Sequence, residues 1–153
     1  MKKLVSGFIV SASLCLIPPL VAHDEGHGPK LTDPAQYGGK VAPVIFKSDV
    51  SKGRKATMHF KAEVTKNASG KMRVYLYDTK MVLLDKIAIK QPNGIIYYKD
   101  KKTGKGKKVT LKVSQQKSEI YTQLPKEIRG KFDFDFTFET DKGAYFVAFD
   151  GMR

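Results

Sequence analysis

The chain has 153 residues, one cysteine, and 28 Lys and Arg residues against 15 Asp and Glu, which gives a formal net charge of +13 at pH 7. This length suits one ordinary domain with its own hydrophobic core. A single thiol, at Cys15, excludes an internal disulfide scaffold and a thiolate metal cluster. This excess of positive charge favours polyanionic partners, although it also increases solubility.

The first residues have the layout of a secretory signal peptide. Lys2 and Lys3 precede an apolar stretch from Leu4 to Leu20, and the small residue Ala22 stands just before a polar change at His23. We therefore expect residues 1–22 to be removed, so that the mature protein is periplasmic or secreted. Its net charge would be about +11.

Two alternatives to cleavage remain. An uncleaved anchor is one, but Pro18 and Pro19 interrupt a run already short for a span of about 20 apolar residues. Lipid attachment at Cys15 is the other, although the bulky Leu14 stands where a lipoprotein leader carries Gly or Ala. We expect no transmembrane span after cleavage.

Residues 23–40 form a lead-in, with the sequence HDEGHGPKLTDPAQYGGK. Glycine and proline are frequent there and large apolar groups are few, so the composition predicts a flexible segment. The folded domain is expected to span residues 41–153.

From Val41 onward, short segments rich in β-branched and aromatic residues alternate with turn signals. The pattern predicts an all-β fold, an immunoglobulin-like antiparallel β-sandwich of about seven to nine strands. The predicted strands are Val41–Phe46, Ala56–Val64, Met72–Tyr77, Val82–Ile89, Ile95–Tyr98, Val109–Val113, Ile120–Gln123, Lys131–Glu139 and Ala144–Phe149.

The alternation of apolar and polar residues is clearest in Lys131–Glu139, where four phenylalanines share one face of the strand. We expect these rings to be core. The turn Asp141-Lys142-Gly143 then predicts a hairpin with Ala144–Phe149. Asp133 and Asp135 lie on the opposite face and indicate a solvated edge.

Two of the three histidines, His23 and His27, lie close to the predicted mature start. After cleavage, the α-amine and imidazole of His23 can chelate one metal ion, with His27 and Asp24 or Glu25 as further ligands. Nitrogen ligands of this kind favour Cu(II), Ni(II) or Zn(II). The alternative is an inert, flexible tail, because ordering such a loop costs free energy. His59, within a strand, is expected to be exposed or partly packed.

The stretches HDEGHG, Tyr37-Gly38-Gly39-Lys40-Val41 and Lys71-Met72-Arg73-Val74-Tyr75-Leu76-Tyr77-Asp78 resemble small periplasmic β modules that accompany heavy-metal efflux systems. The resemblance covers residues 23 to about 80. It implies a role in copper or zinc handling, with metal-efflux components as partners.

A lysine-rich stretch, Lys99–Lys108, joins two predicted strands. Six lysines and two glycines predict a mobile, cationic hairpin that could hold anionic envelope polymers, with Tyr97 and Tyr98 beside it as stacking groups. The alternative is a solvated loop. The candidate polyanion-binding residues are Lys101, Lys102, Lys105, Lys107 and Lys108.

Recognised catalytic patterns are missing from the sequence: there is no Gly-x-Ser-x-Gly, no His-Glu-x-x-His and no cysteine beyond the leader. The sequence therefore favours an exported binding or accessory protein over an enzyme. No cofactor is required, and specific nucleic-acid recognition is not expected. The hypotheses are metal binding at the amino terminus and polyanion binding through the lysine hairpin.

Overall fold

The structure is a computed structural model that describes residues 27–116, 119–128 and 130–153. It confirms the all-β prediction, with eight antiparallel strands and one short 3-10 segment, Lys47–Lys55. The strands are β1 Lys40–Phe46, β2 Met58–Lys66, β3 Lys71–Tyr77, β4 Lys90–Lys99, β5 Gly106–Gln116, β6 Glu119–Gln123, β7 Phe132–Thr140 and β8 Gly143–Met152.

The sheet closes into a barrel, and the predicted sandwich is therefore wrong. The strands follow the order β1-β2-β3-β6-β5-β4-β7-β8, and β8 pairs again with β1. Two residue pairs form this last seam, Ile45 with Phe146 and Phe46 with Tyr145. Alternating side chains specify which face of a strand is buried, but not whether the sheet closes on itself.

The predicted strand Val82–Ile89 is also wrong, because this segment belongs to a crossover, residues 78–89, that joins β3 to β4. Within the crossover, Leu83 forms one isolated antiparallel bridge with Tyr77. Asp78 turns the chain at the start of the crossover, since its Oδ1 accepts the N–H groups of Lys80 and Val82, each at 2.8 Å. Leu84, Ile87 and Ile89 then pack on the barrel core instead of pairing in a sheet.

Antiparallel pairing gives the barrel two distinct ends. At the end we call the mouth lie the 3-10 segment, the crossover and the β7–β8 turn. At the opposite end lie the β2–β3 turn, the β4–β5 hairpin and the connection from β6 to β7. The two ends therefore carry different loops and different chemistry.

The barrel interior is filled by aromatic and aliphatic side chains. Phe134 and Phe136 are fully buried, and Phe132 and Phe138 are nearly so, which confirms that this face of β7 is core. The predicted β7–β8 hairpin is confirmed as well, with Thr140 opposite Gly143.

The prediction of a solvated edge at Asp133 and Asp135 is wrong. Strand β7 lies between β4 and β8, so neither carboxylate is at an edge. Asp135 is only 8% exposed, and Asp133 Oδ1 accepts the N–H of Gly151 at 2.7 Å. Pairing on both sides, with β4 and with β8, leaves β7 without the free edge that the sequence pattern suggested.

A second, smaller cluster lies outside the barrel wall. Ile45 and Phe146 point outward from β1 and β8 and pack with Ala56 and the half-buried Val50. The 3-10 segment covers these side chains, which explains why a segment with a polar sequence is retained there.

Residues 33–39 of the lead-in lie along the outside of β2 and β3, where Glu63 holds them. This side chain is fully buried and points outward from β2. Its Oε1 accepts the N–H groups of Tyr37 at 2.9 Å and Gly39 at 2.8 Å. Its Oε2 accepts the N–H of Gln36 and the hydroxyl of Tyr77, each at 2.9 Å. Burial, followed by the bond to Glu63, raises the pKa of Tyr77 strongly.

Further contacts join the lead-in to the same wall. The buried Lys61 forms an ion pair with Asp33 at 2.7 Å, and Tyr37 stacks on Tyr75 with 4.2 Å between ring centroids. Gly39 lies so close to β2 that an added Cβ would be 2.2 Å from the carbonyl oxygen of Val64. The stretches Tyr37–Gly39 and Tyr75–Tyr77 therefore lie in contact, and their structural role is to hold the lead-in on the barrel wall.

Candidate polyanion-binding end

Basic side chains are concentrated at the end opposite the mouth, because several strands begin or end there with a lysine. Lys40 begins β1, Lys66 ends β2 and Lys99 ends β4. The set, which we call the basic end, is Lys40, Lys66, Lys99, Lys101, Lys102, Lys105, Lys107, Lys108, Lys126, Lys131 and Arg153. Most of these side chains are exposed. Strand ends are solvated, so lysine is tolerated there, and closure of the barrel brings the charges together.

Contacts across neighbouring loops show that these lysines are close to one another. The Cε of Lys101 lies 3.7 Å from the point where a Cβ on Gly130 would stand. At Gly151 the corresponding distances are 2.8 Å to Lys131 Cε and 3.9 Å to Lys40 Nζ. Lys40 also donates a hydrogen bond to the carbonyl oxygen of Asp150. The hairpin, the β6–β7 connection and the start of β1 therefore form one continuous basic surface.

Asp100 organises the lysine hairpin. Its Oδ1 accepts the N–H groups of Lys102 at 2.9 Å and Thr103 at 3.0 Å, while Oδ2 pairs with Lys107 at 2.5 Å. Two backbone bonds close the turn, from Asp100 N to Lys105 O at 2.9 Å and from Gly104 N to Asp100 O at 2.8 Å. The hairpin presents its lysines from a defined turn.

The predicted binding lysines differ in their surroundings. All five are exposed, but Lys107 is also paired with Asp100, which raises the pKa of Lys107. Sequence reasoning missed the other members of the basic end, such as Lys40 and Lys131. A lysine beside several of the predicted strand ends was the available signal, but the strand order was needed to group these lysines at one end of the barrel.

The two tyrosines beside the hairpin lie in different places. Tyr98 packs against the barrel core, which leaves it unsuited to stacking on a ligand. Tyr97 is half-buried in the outer wall, opposite Asp133. Burial, and then the nearby Asp135, raises the pKa of Tyr97. The site therefore relies on charge more than on aromatic stacking.

Asp100 is expected to stay ionised below the usual pKa of an aspartate, about 3.9. The hydrogen bond from Lys107, followed by those from the Thr103 and Lys102 N–H groups, holds its pKa well below that value. A lowered pKa means that the contribution to stability is present above the unfolded-state pKa and is lost as the pH falls through the folded-state pKa. We therefore expect the hairpin to stay closed at pH 4.

A carbon-13 carboxyl titration by NMR measures this pKa directly. Lys107→Gln should move the midpoint of Asp100 up toward the usual value, because it removes the largest cause of the shift. An Asp100 midpoint near 3.9 in the parent protein would contradict the assigned ion pair.

Of the predicted metal ligands, His23 and Asp24 lie outside the described residues. His27 lies against the outer cluster, with its Nδ1 3.2 Å from the carbonyl oxygen of Val50 and its ring edge-on to Phe146 at 5.2 Å. His59 packs instead on Phe46, with 4.0 Å between ring centroids. Within residues 27–116, 119–128 and 130–153, no three His, Cys, Asp or Glu side chains form a group that could hold a metal ion. Metal binding by His23, Asp24 and His27 stays a prediction.

No protein-family model, curated protein or solved structure matches the chain. The heavy-metal-efflux resemblance therefore also stays a prediction. None of the helical segments in the described part of the chain combines the length and apolar character needed to cross a membrane.

Proposed function

We propose that the protein is an exported accessory protein that binds anionic lipid surfaces of the cell envelope through its basic end. The observation that carries this proposal is the convergence of lysines from separate strands and loops on one end of the barrel. The proposed role is binding, and it requires neither a catalytic residue nor a cofactor.

The chemistry of the basic end favours a surface over a small ligand. Lysine is a compact, strongly hydrated charge that attracts anions without demanding one geometry. Such side chains near an anionic bilayer each contribute about 1 kcal/mol, and the attraction falls off within a Debye length of about 8–10 Å. Several exposed lysines on adjacent loops can engage many headgroups together.

Cosedimentation with vesicles tests the proposal. Vesicles that contain phosphatidylglycerol should bind the protein, vesicles of phosphatidylcholine should not, and binding should weaken as salt rises. Neutralising Lys101, Lys102 and Lys105 to glutamine should reduce affinity by roughly 100-fold, at about 1 kcal/mol for each lysine.

A matched variant separates a local site from the effect of overall charge. Lys47, Lys55 and Lys80 are also exposed, but they belong to the loops of the mouth. Changing these three to glutamine alters the net charge equally and should leave most of the binding. Equal losses in both variants would show that net charge alone acts, and the proposal would then fail.

A further inference from the structure

The mouth contains an open cavity of about 620 Å³ between the crossover and the β7–β8 turn. Its apolar lining includes Phe60, Leu84 and Ile87, all of which also pack against the core. Ligand sites of small molecules commonly have volumes of about 300–1,000 Å³ and a mostly apolar lining. The cavity therefore has the size and the lining of a small-molecule site.

A smaller cavity of about 220 Å³ is lined by some of the same crossover side chains, among them Leu83, Leu84 and Ile87. It reaches toward Leu76 and Ile120 of the barrel wall. The two cavities thus lie beside the crossover, and the extended alkyl chain of a ligand could run along the shared side chains from one cavity to the other.

The crossover also exposes apolar surface. Val82 is 59% exposed and Leu83 is 38% exposed. Both belong to the apolar run that the sequence predicts as a strand but that the barrel leaves outside its ladder. Of the two, Leu83 lines both cavities, and burying it against a ligand would release water from apolar surface, which is the main favourable term in such binding.

Charged side chains around the cavity indicate the sign of the ligand. Three lysines, Lys86, Lys90 and Lys142, line it together with two aspartates, Asp85 and Asp141. The lining is therefore net positive by one charge, and apolar groups lie between the lysines. This combination complements a molecule with an apolar chain and an anionic head.

We infer that the mouth binds a single-chain anionic amphiphile of the long-chain carboxylate class. The alkyl chain lies over Phe60, Leu84 and Ile87, and the carboxylate faces Lys86 and Lys142. This site is separate from the basic end, because the two lie at opposite ends of the barrel.

Solution NMR with dodecanoate, below its micelle concentration, tests the inference. Saturable one-to-one shifts are expected at the amides of Phe60, Leu84, Ile87 and Lys142. Dodecyltrimethylammonium, which has the same chain and the opposite charge, is expected to bind at least tenfold more weakly, because the three lysines of the lining outnumber its two aspartates and the net positive charge repels the head. Lysophospholipid with the same acyl chain distinguishes a free carboxylate from a headgroup as the recognised anion.

Two variants sharpen the test. Ala88 is exposed and lines the cavity, so Ala88→Phe should narrow it and weaken dodecanoate binding at least threefold without unfolding the barrel. Lys86→Glu together with Lys142→Glu should weaken dodecanoate binding at least tenfold. The same change of charge at Lys101 and Lys102, on the basic end, should leave this binding unaltered.

Several results would overturn the inference. These are the absence of saturable shifts, shifts confined to the basic end, equal binding of the cationic amphiphile, tighter binding of the lysophospholipid than of dodecanoate, and unchanged binding by Ala88→Phe. None of them contradicts vesicle binding by the basic end, so the two proposals fail separately.

Discussion

Replacing Glu63 by alanine is expected to release the lead-in from the barrel wall and to lower the free energy of unfolding by roughly 2–4 kcal/mol. Hydrogen bonds to a charged group contribute about 1.5–3 kcal/mol each, and the relief of burying a carboxylate offsets part of the loss. Glu63 accepts four such bonds, three of them from the lead-in. Urea unfolding measures the change in stability.

Amide hydrogen exchange gives a second, local measurement. The N–H groups of Gln36, Tyr37 and Gly39 should lose protection in Glu63→Ala, while the amides of β7 keep theirs. Glu63→Gln should lose less protection at these amides than Glu63→Ala, since its amide retains one acceptor oxygen but turns an NH₂ group toward two donors. Glu127→Ala, at an exposed position, is the matched control. Unchanged protection of the three amides in Glu63→Ala would contradict the assigned contacts.

Replacing Phe136 by alanine is expected to lower the free energy of unfolding by about 3–5 kcal/mol, the usual cost of deleting a buried ring. Phe136 is fully buried, and its ring centroid lies 5.4 Å from that of Phe138 and 6.3 Å from that of Phe134. The interior of the barrel is a packed core, so the neighbouring rings can fill only part of the space left behind.

The control for this change lies one residue away. Thr137 points outward from the same strand and is half-buried, so Thr137→Ala should cost less than about 1 kcal/mol. Urea unfolding of both variants provides the comparison. Equal costs at the two positions would show that the phenylalanine face of β7 is not the centre of the core.

Local sequence pattern predicted most of the strands. The period of two in β7 identified its buried face, and the predicted Val41–Phe46 differs from β1 by one residue. The pattern failed at Val82–Ile89, where Leu84, Ile87 and Ile89 pack on the barrel core but Val82 and Leu83 stay exposed. A short run of apolar side chains therefore does not distinguish a strand of the ladder from a connecting segment that packs on the core.

Contacts between distant parts of the chain could not be predicted in the same way. The β1–β8 seam joins residues about a hundred positions apart, and nothing in either strand specifies its partner. Glu63 is a similar case, because an outward-facing acid in a strand reads as solvated until the lead-in is placed over it. Local sequence indicated the lysine hairpin, but grouping it with Lys40 and Lys131 required the strand order.

The placement of two loop sets at opposite poles determines how the molecule would be oriented. A barrel resting on a negatively charged bilayer through Lys101 and its neighbours would stand upright, with the crossover directed into the surrounding medium. The opening beside Leu84 would then remain accessible to small molecules while the other pole is engaged. One molecule would then hold the bilayer at one pole and a small molecule at the other at the same time.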